Sequence, residues 1–150
     1  MSVHIRPATE DDLPGVLSLY AQPDMDRGQT LALEQARELL RTFARYPSYR
    51  LFVASAQVQP EQVIGSFALL VMHNLAHRGT PSAIVEDVVV ASTHQGQGVG
   101  KAMMLHAQAM ARQAGCYKLV LSSNQRRLNA HAFYRSLGFM QHGLSFQMEL

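Results

Sequence analysis

The sequence predicts an α/β domain with a mixed, mostly antiparallel sheet of six or seven strands, flanked by about four helices. Three observations lead to this prediction. Segments with strand periodicity alternate with segments of helical periodicity along the chain, which favours layers of sheet and helix around one core. The 150 residues suit a single domain over 1–150. The hydrophobic fraction is 47% and the charged fraction 16%, which are the values of an ordinary globular protein.

The N-terminal third predicts one strand followed by two helices. Thr9 is a suitable N-cap, and the acidic residues after it favour the positive end of a helix dipole. In the second helix, Ala36, Leu39, Leu40 and Phe43 follow helical spacing and are expected to form its buried stripe. The predicted elements are a strand at 2–6, a helix at 10–20, a loop at 22–29 and a helix at 30–46.

The rest of the chain predicts a run of strands interrupted by two helices. The clearer helix carries Met103, Ala107 and Ala111 at helical spacing, and Gly115 is expected to end it as a left-handed cap. The predicted strands are at 50–56, 63–73, 83–91 and 117–122, with one or two more within 139–150. The predicted turns are at 57–62 and 74–81, and the predicted helices at 98–115 and 128–137.

Composition excludes several classes of protein. The net charge of +2 comes without a basic stripe, so we expect no nucleic-acid partner. No stretch approaches the roughly 18 apolar residues of a membrane span, and the N-terminus lacks the apolar core of a signal peptide. The one cysteine, Cys116, allows no disulfide within the chain and fits a reducing, cytoplasmic setting.

A glycine-rich segment joins a predicted strand to the clearest helix. Residues 88–90 are three valines, and residues 95–101 read Gln-Gly-Gln-Gly-Val-Gly-Lys. Glycines allow the backbone to curl so that successive N–H groups point inward, and the helix N-terminus adds unsatisfied donors. The spacing differs from the dinucleotide fingerprint G-x-G-x-x-G, and Ala102 follows the lysine where a P-loop has Ser or Thr. We therefore expect the backbone of 95–101 to hold a diphosphate.

The spacing of Gln95, Gly98 and Gly100 fits Q/R-x-x-G-x-G/A and resembles the GNAT superfamily of N-acetyltransferases. The resemblance implies the GNAT fold and acetyl-CoA as the acetyl donor. It also implies that the strand before the loop splays from its neighbour, so that its free backbone groups pair with the pantetheine arm. The residues expected to contact acetyl-CoA are Val88, Val89, Val90, Gln95, Gly96, Gln97, Gly98, Val99, Gly100, Lys101, Asn124, Asn129 and Tyr134. For Asn124 and Asn129, a helix cap or a turn is an equally open alternative.

A second motif, at residues 129–139, resembles the closing segment of the same family, a short helix ending in F/L-Y-x-x-x-G-F. Tyr134 takes the tyrosine position, and the resemblance implies that its phenol points at the cofactor sulfur. Aminolysis of a thioester expels a thiolate, and a phenol with a pKa near 10 can protonate it. Gly138 is expected to serve only as a left-handed helix cap.

Two adjacent carboxylates open the strand before the glycine loop. Strand alternation predicts that Glu86 and Asp87 point to opposite faces of the sheet, so that one faces the acceptor. Glu86 is the candidate general base, acting through water, because an apolar wall raises a carboxyl pKa; the alternative is a solvated charge. His73 and Arg78 are candidates for lining the acceptor site. His73 and His77 lack the Glu of H-E-x-x-H, so we expect no metal site.

A closer likeness is to the eukaryotic glucosamine-6-phosphate N-acetyltransferases. The residues that carry it are 83–90, 95–101 and 115–119. It implies that Glu86 and Asp87 border the amino sugar and that Tyr117 and Lys118 bind substrate from the next strand. The chain departs from that pattern at Ser122, where those enzymes have an acidic residue, and its C-terminus lacks their phosphate-gripping arginine.

The sequence therefore predicts an enzyme that moves an acetyl group from acetyl-CoA to a primary amine by direct transfer in a ternary complex. The acceptor is expected to be a small-molecule amine or a peptide amine. An amino-sugar phosphate N-acetyltransferase, a protein N-acetyltransferase and a non-catalytic CoA-binding regulatory module stay open as alternatives. Exposed closing strands near the C-terminus also favour a homodimer.

Overall fold

The computed structural model describes residues 1–150 and separates into two compact units, Met1–Val120 and Leu121–Leu150. The first unit holds a five-stranded sheet and three helices, and the second holds one helix. The α/β class, the mixed sheet and the four helices are confirmed, whereas the strands number five rather than six or seven. None of the helices combines the length and the apolar character that crossing a membrane requires.

The strands lie across the sheet in chain order. They are β1 (Val3–Pro7), β2 (Tyr49–Ala56), β3 (Gln59–Met72), β4 (Ser82–Val90) and β5 (Leu119–Val120). Strands β1 to β4 are antiparallel to their neighbours, and β5 runs parallel to β4. Strand β3 begins earlier than the predicted residue 63 because Gln59 already pairs with Ala56, while residues 60–62 bulge out of the ladder. The predicted turn at 57–62 is therefore a tighter hairpin followed by a bulge.

Four helices form at the predicted positions, each shorter than predicted. They are α1 (Leu13–Tyr20), α2 (Leu33–Phe43), α3 (Val99–Gln113) and α4 (Leu128–Ser136). Residues Glu10–Asp12 form a 3-10 turn ahead of α1. Terminal helical turns have few tertiary contacts to fix them, so a periodic pattern overestimates the length of a helix.

A buried carboxylate ties the first strand to the start of α1. The Arg6 guanidinium donates to both oxygens of Asp12, at 2.6 and 2.8 Å, and the Thr9 amide donates to Oδ2 at 2.7 Å. Asp12 is only 6% exposed. These bonds lower the pKa of Asp12, chiefly through the hydrogen bond from Arg6. The chain therefore enters α1 at a fixed angle to the sheet.

One face of the sheet is covered by α1 and α2. Val16 of α1 packs against Leu51, Val53 and Ala68 in a buried cluster, and residues of α2 pack on its margin. Burying each of the larger side chains contributes roughly 1.5–3 kcal/mol. Leu39 was expected in this buried stripe, but it is 45% exposed, so that prediction is wrong. Helix α2 spans only 11 residues and buries a narrow stripe on the sheet margin.

The opposite face is covered by α3, which sits very close to β3. Phe52 and Phe67 stack there with ring centroids 5.1 Å apart, beside the fully buried Met103 of α3. Gly65 of β3 lies directly beneath the helix, where an added Cβ would meet Met103 Sδ at 2.9 Å and Val99 Cγ1 at 3.1 Å. The missing side chain at Gly65 therefore sets the distance between α3 and the sheet.

The predicted closing strands are absent. Residues 139–150 form no strand and pair with no other part of the chain in the sheet. Their alternating apolar side chains are exposed, by 76% at Leu144, 90% at Phe146 and 82% at Met148. Alternation predicts a strand only where a neighbouring strand takes up its backbone hydrogen bonds, and this segment has no such neighbour. The prediction of one or two strands here is wrong for this structure.

Candidate active site

One edge of β4 is open over most of its length. Strand β5 pairs with β4 only at Ala83 and Ile84, so residues 85–90 have no strand on that side. This matches the expected splay between the two strands. The Val90 carbonyl is already used, because it accepts hydrogen bonds from Gln22 Nε2 at 3.2 Å and Gln95 Nε2 at 3.5 Å. The edge available for pairing another extended group is therefore the backbone of 85–89.

A bulge interrupts β4 at its two acidic residues. Ser66 pairs with Val89, and Ala68 pairs with Glu86. Two residues of β4, Asp87 and the residue after it, therefore lie opposite a single residue of β3. Asp87 has a φ of 53°, in the left-handed region that residues with a side chain seldom adopt. A bulge redirects side chains and recurs next to active sites.

The bulge overturns the predicted alternation of the two carboxylates. Both Glu86 and Asp87 raise the pKa of the Tyr49 phenol, after the larger effect of burial. Asp87 also raises the pKa of Glu86. The left-handed φ of Asp87 and the extra residue in the register break the regular pleat between the two carboxylates, so strand alternation does not apply at this point of β4.

Five side chains from four segments form what we call the aromatic–acidic cluster: Tyr20, Asp26, Tyr49, Glu86 and Asp87. Burial, then Asp87, raises the pKa of Tyr20 to about 12, with smaller contributions from Tyr49 and Asp26. Burial, then Asp26, raises the pKa of Asp87. The Asp26 amide donates to the Tyr20 carbonyl at 2.9 Å, which holds the loop after α1 against this cluster.

Sequence reasoning missed three members of this cluster. Tyr20, Asp26 and Tyr49 belong to no motif that the sequence shows. They come from the end of α1, the loop after it and the start of β2, so no local spacing joins them. Only the packing of α1 on the sheet brings them to the carboxylates of β4.

The glycine loop presents a run of free backbone donors. Gly96 and Gly98 have φ values of 73° and 86°, and α3 starts directly after Gly98. The first bonded amide of the helix is that of Ala102, which donates to the Gly98 carbonyl at 3.0 Å. The seven amides of residues 95–101 donate to no acceptor within the protein. This is the donor arrangement that binds phosphate groups at a helix N-terminus.

The side chains of the loop brace it and leave the amides clear. Gln97 Nε2 donates to the Thr93 carbonyl at 3.0 Å, and Gln95 reaches back to Val90. The side chain of Val99, the first residue of α3, is buried, so only the amide of this residue can bind a ligand. The Lys101 side chain is exposed and adds a positive charge beside the loop. The predicted residues 95–101 therefore fit the diphosphate of CoA, since backbone donors and a cation complement its negative charge.

Gln22 joins the end of α1 to the segment between β4 and the glycine loop. Its Oε1 accepts from the Ser92 amide at 2.7 Å, and its Nε2 donates to the Val90 carbonyl. The loop after α1, which carries Asp26, is thus joined to the point where β4 turns into the glycine loop. No sequence pattern indicated this residue.

Tyr134 lies in the second unit, on α4. Its ring contacts those of Phe133 and Phe139, with centroid distances of 5.2 and 5.8 Å. Burial raises the pKa of its phenol, an effect that Arg127 partly offsets. The phenol therefore stays protonated at neutral pH. Gly138, with a φ of 92°, caps the helix as predicted.

The two asparagines of the second unit differ in environment. Asn124 Oδ1 accepts from the Arg126 amide at 2.9 Å, and its carbonyl contacts His131 Nε2 at 2.8 Å. Asn124 is therefore a turn residue, which was one of its two predicted roles. Asn129 is exposed in the first turn of α4 and makes no side-chain hydrogen bond.

The remaining predicted substrate residues gather at the other end of β4. The rings of His77 and Tyr117 lie 4.5 Å apart, and Lys118 Nζ is 5.4 Å from the Tyr117 ring centroid. The Lys118 carbonyl accepts from the amide of Ala83, about 10 Å of strand before Glu86. His73 and Arg78 are exposed in or beside the loop before β4. The structure brings His77, Tyr117 and Lys118 together but keeps them apart from the glycine loop.

Metal chemistry finds no support in the side chains. No group of three His, Cys, Asp or Glu residues is placed to hold a metal ion. Burial raises the pKa of the Cys116 thiol, which disfavours the nucleophilic thiolate.

Comparisons with known proteins agree with the geometry of the site. A model of the family described as "Acetyltransferase (GNAT) family" matches residues 13–139. The chain is 33% identical over 89 residues to a glucosamine 6-phosphate N-acetyltransferase of Trypanosoma brucei brucei, covering 59% of this chain and 58% of that protein. It is 29% identical over 123 residues to an aminoalkylphosphonate N-acetyltransferase of Salmonella typhimurium, covering 75% and 79%.

A solved structure resembles the chain over nearly its whole length. A transcriptional regulator from Bacillus halodurans superposes with a TM-score of 0.89 at 26% identity, covering 99% of this chain and 100% of that one.

Proposed function

The chain belongs to the GNAT family of acetyltransferases, and on that premise we propose that it is an acetyl-CoA-dependent N-acetyltransferase acting on a primary amine. The observation that carries the proposal is the run of seven free amides at 95–101, directly after the open edge of β4. Donors aimed at a diphosphate, next to an edge that can pair an extended amide chain, suit CoA better than a compact phosphate.

Three parts of the chain would hold acetyl-CoA. The amides of 95–101 and the exposed Lys101 would bind the diphosphate, and the backbone of 85–89 would pair with the pantetheine arm. When bound, acetyl-CoA supplies an acetyl group activated as a thioester. Backbone N–H groups near Val88 would polarise the acetyl carbonyl, since donors fixed in advance stabilise developing negative charge.

Glu86 would accept the proton that the amine loses. Burial, and then Asp87, raises the pKa of Glu86 above its ordinary value, which makes the carboxylate a stronger base. Its position on the open part of β4 leaves the side chain accessible to solvent, so the proton can travel through a water molecule. The amine then attacks as a neutral nucleophile in a ternary complex.

The Tyr134 hydroxyl would supply the proton for the departing sulfur. Its raised pKa keeps the phenol protonated until a strong base forms beside it. The tyrosine occupies the position that the family's closing motif assigns to such an acid. This role predicts a loss in turnover without a loss in CoA binding.

The test measures CoA thiol released with a library of amines. Tyr134→Phe should lower kcat about 10²–10⁴-fold while leaving the Kd for CoA unchanged, because only the proton donor is lost. The matched control is Tyr46→Phe, which removes a hydroxyl from a side chain that is 57% exposed. Equal turnover of Tyr134→Phe and the wild-type protein would remove Tyr134 from this role.

A non-catalytic CoA-binding regulator is the second candidate, and the similarity to a protein described as a transcriptional regulator favours it. Such a module would keep the glycine loop and dispense with the acid and the base. It would bind CoA in calorimetry and release no thiol with any amine. Thiol release with one amine, abolished by Tyr134→Phe, would exclude it.

A further inference from the structure

We propose that the second unit of one copy, Leu121–Leu150, packs on the first unit of another copy of this chain. Each active site of this exchanged dimer takes its glycine loop from one chain and Tyr134 from the other. The inference rests on the proposed function for the role of Tyr134, and it adds that the site is incomplete without a second copy. The exposed side chains of the second unit and the free edge of β5 carry it.

The second unit leaves its large apolar side chains exposed. Helix α4 buries none of its residues, and Leu128 in its first turn is 71% exposed. Segments shorter than about 40 residues seldom form a core without help from another element, such as a second subunit, and this unit is shorter than that. Beyond the helix, five large apolar side chains are exposed by 76% or more: Met140, Leu144, Phe146, Met148 and Leu150.

This apolar surface is large enough to hold two copies together. Burying one such side chain removes on the order of 100 Å² of apolar surface from water. Six of them in each of two copies, together with the surface that they cover, would bury on the order of 2,000 Å². A specific interface needs about 1,000 Å² or more, so an exchange between two copies provides sufficient burial.

The backbone of 143–150 indicates what kind of surface covers it. Apolar and polar side chains alternate along this segment, so in an extended conformation the apolar ones share one face. Burying that face also removes water from the backbone, whose N–H and C=O groups then need a neighbouring strand. The surface that covers 143–150 must therefore offer a free strand edge beside an apolar face.

Strand β5 has such an edge. The Lys118 carbonyl points towards β4, because it accepts from the Ala83 amide at 3.0 Å. Successive residues of a strand direct their backbone groups to opposite edges, so the N–H and C=O of Leu119 point to the outer edge, where the sheet has no further strand. One chain thus carries both an open edge and a segment that lacks one. Two copies related by a two-fold axis satisfy both needs at once, which favours a second copy over an unrelated protein.

Tyr134 belongs to the part of the chain that is exchanged. Its ring centroid lies 5.8 Å from that of Phe139, and its carbonyl accepts from the Phe139 amide at 3.1 Å. Tyr134 and 143–150 also lie in the same compact unit. A second unit that packs on another copy therefore brings its phenol to that copy. Under the proposed function, the acid and the diphosphate site of each reaction then come from different chains.

Complementation between two inactive variants tests the inference. Gly98→Glu puts a carboxylate into the diphosphate site and keeps the second unit, whereas Tyr134→Phe removes the acid and keeps the glycine loop. When equal amounts are refolded together from urea, about half of the dimers contain one chain of each kind, and one of their two sites joins an intact loop to Tyr134. Each variant alone should release little thiol. The mixture should reach about a quarter of the rate of wild-type protein refolded in the same way, with the amine that it turns over fastest.

A second measurement needs no turnover. Phe146→Glu places a charge in the middle of the exchanged segment and should convert the dimer into monomers in light scattering. The amides of 143–150 and of Leu119 should then lose about tenfold or more of their protection from hydrogen exchange. The Ala83 amide, which is bonded within the chain, should keep its protection and so report that the first unit stays folded. The matched control is Val58→Glu, which changes an 88% exposed side chain between β2 and β3 and should stay dimeric.

The outcomes separate this inference from the proposed function. A mixture no more active than the average of its two variants would overturn the exchange and leave the N-acetyltransferase proposal standing. If no amine is turned over, the proposed function fails and the second measurement decides the exchange. A monomeric wild-type protein, or free hydrogen exchange of the amides of 143–150 in it, would overturn the inference in either case.

Discussion

Replacing Gly65 with alanine tests how α3, and with it the glycine loop, is seated on the sheet. The new methyl group would lie 2.9 Å from Met103 Sδ and 3.1 Å from Val99 Cγ1. Both neighbours are at most 1% exposed, so neither can move into solvent. Val99 is also the first residue of α3, directly after the glycine loop. The substitution should therefore disturb both packing and cofactor binding.

The expected magnitude follows from the cost of overpacking a core, about 1–3 kcal/mol. Methionine is flexible, which favours the middle of that range, about 2 kcal/mol. For a chain of this size that corresponds to a decrease in Tm of about 4–8 °C. Moving the first turn of α3 should also shift the donors of 95–101, so the Kd for CoA should increase.

Calorimetry of unfolding and of CoA binding measures both effects. The matched control is Gly143→Ala, because no atom lies within 4 Å of the Cβ that it adds. In a double-mutant cycle, Met103→Ala should partly rescue Gly65→Ala, since the shortened side chain leaves room for the methyl group. A wild-type Tm and a wild-type Kd for Gly65→Ala would refute the close seating of α3.

Four further predictions follow. Gly98→Ala should weaken CoA binding about tenfold, because alanine disfavours a φ of 86° by about 1–2 kcal/mol and the amides of 95–101 would change direction. An unchanged Kd in calorimetry would contradict this. Asp12→Asn removes the ion pair with Arg6 and should lower the free energy of unfolding in urea by about 1–3 kcal/mol. Arg6 is one-third exposed, so solvent already screens part of this pair. The pKa of Asp12 is lowered from 3.8, so this difference should hold above that pH and vanish as the pH falls through the folded value; a constant difference would contradict it. Burial raises the pKa of Tyr20 to about 12. The free energy of unfolding should therefore keep the full contribution of the neutral phenol below pH 10 and lose it as the pH rises to about 12. Tyr20→Phe should abolish this pH dependence. The exposed apolar side chains of 139–150 predict a homodimer, for which light scattering should give twice 16.6 kDa rather than 16.6 kDa.

Local signals were enough to predict the conformation of the glycine loop and the start of α3. The glycines at 96 and 98 adopt the positive φ values that the spacing suggested, and α3 begins directly after them. Gly138 caps α4 for the same reason. In each case the determinant lies within a few residues of the effect, so the chain itself carries the signal.

The bulge in β4 could not be predicted in the same way. The left-handed φ of Asp87 arises because β3 and β4 pair with one residue out of step, and no residue type near Asp87 marks such a bulge. The bulge therefore interrupts the alternation from which the face of this carboxylate was predicted. Tyr20, Asp26 and Tyr49 reach it only through the packing of separate segments.

The C-terminal segment shows the opposite failure. Residues 143–150 alternate apolar and polar side chains without interruption, which is a strong local signal for a strand. A strand also requires a neighbour, and the sheet ends at β5, whose two paired residues give little edge. Periodicity describes which face a segment would bury and does not supply the partner.

The most direct test of the cofactor site is an NMR titration of the 15N-labelled protein with CoA, following the backbone amides of residues 95–101. Hydrogen bonding to the diphosphate should shift these seven amides more than any other group in the first unit, with saturation at the Kd from calorimetry. If CoA binds while these amides keep their positions, or if no binding occurs, the diphosphate site and the acetyltransferase assigned to it would be contradicted.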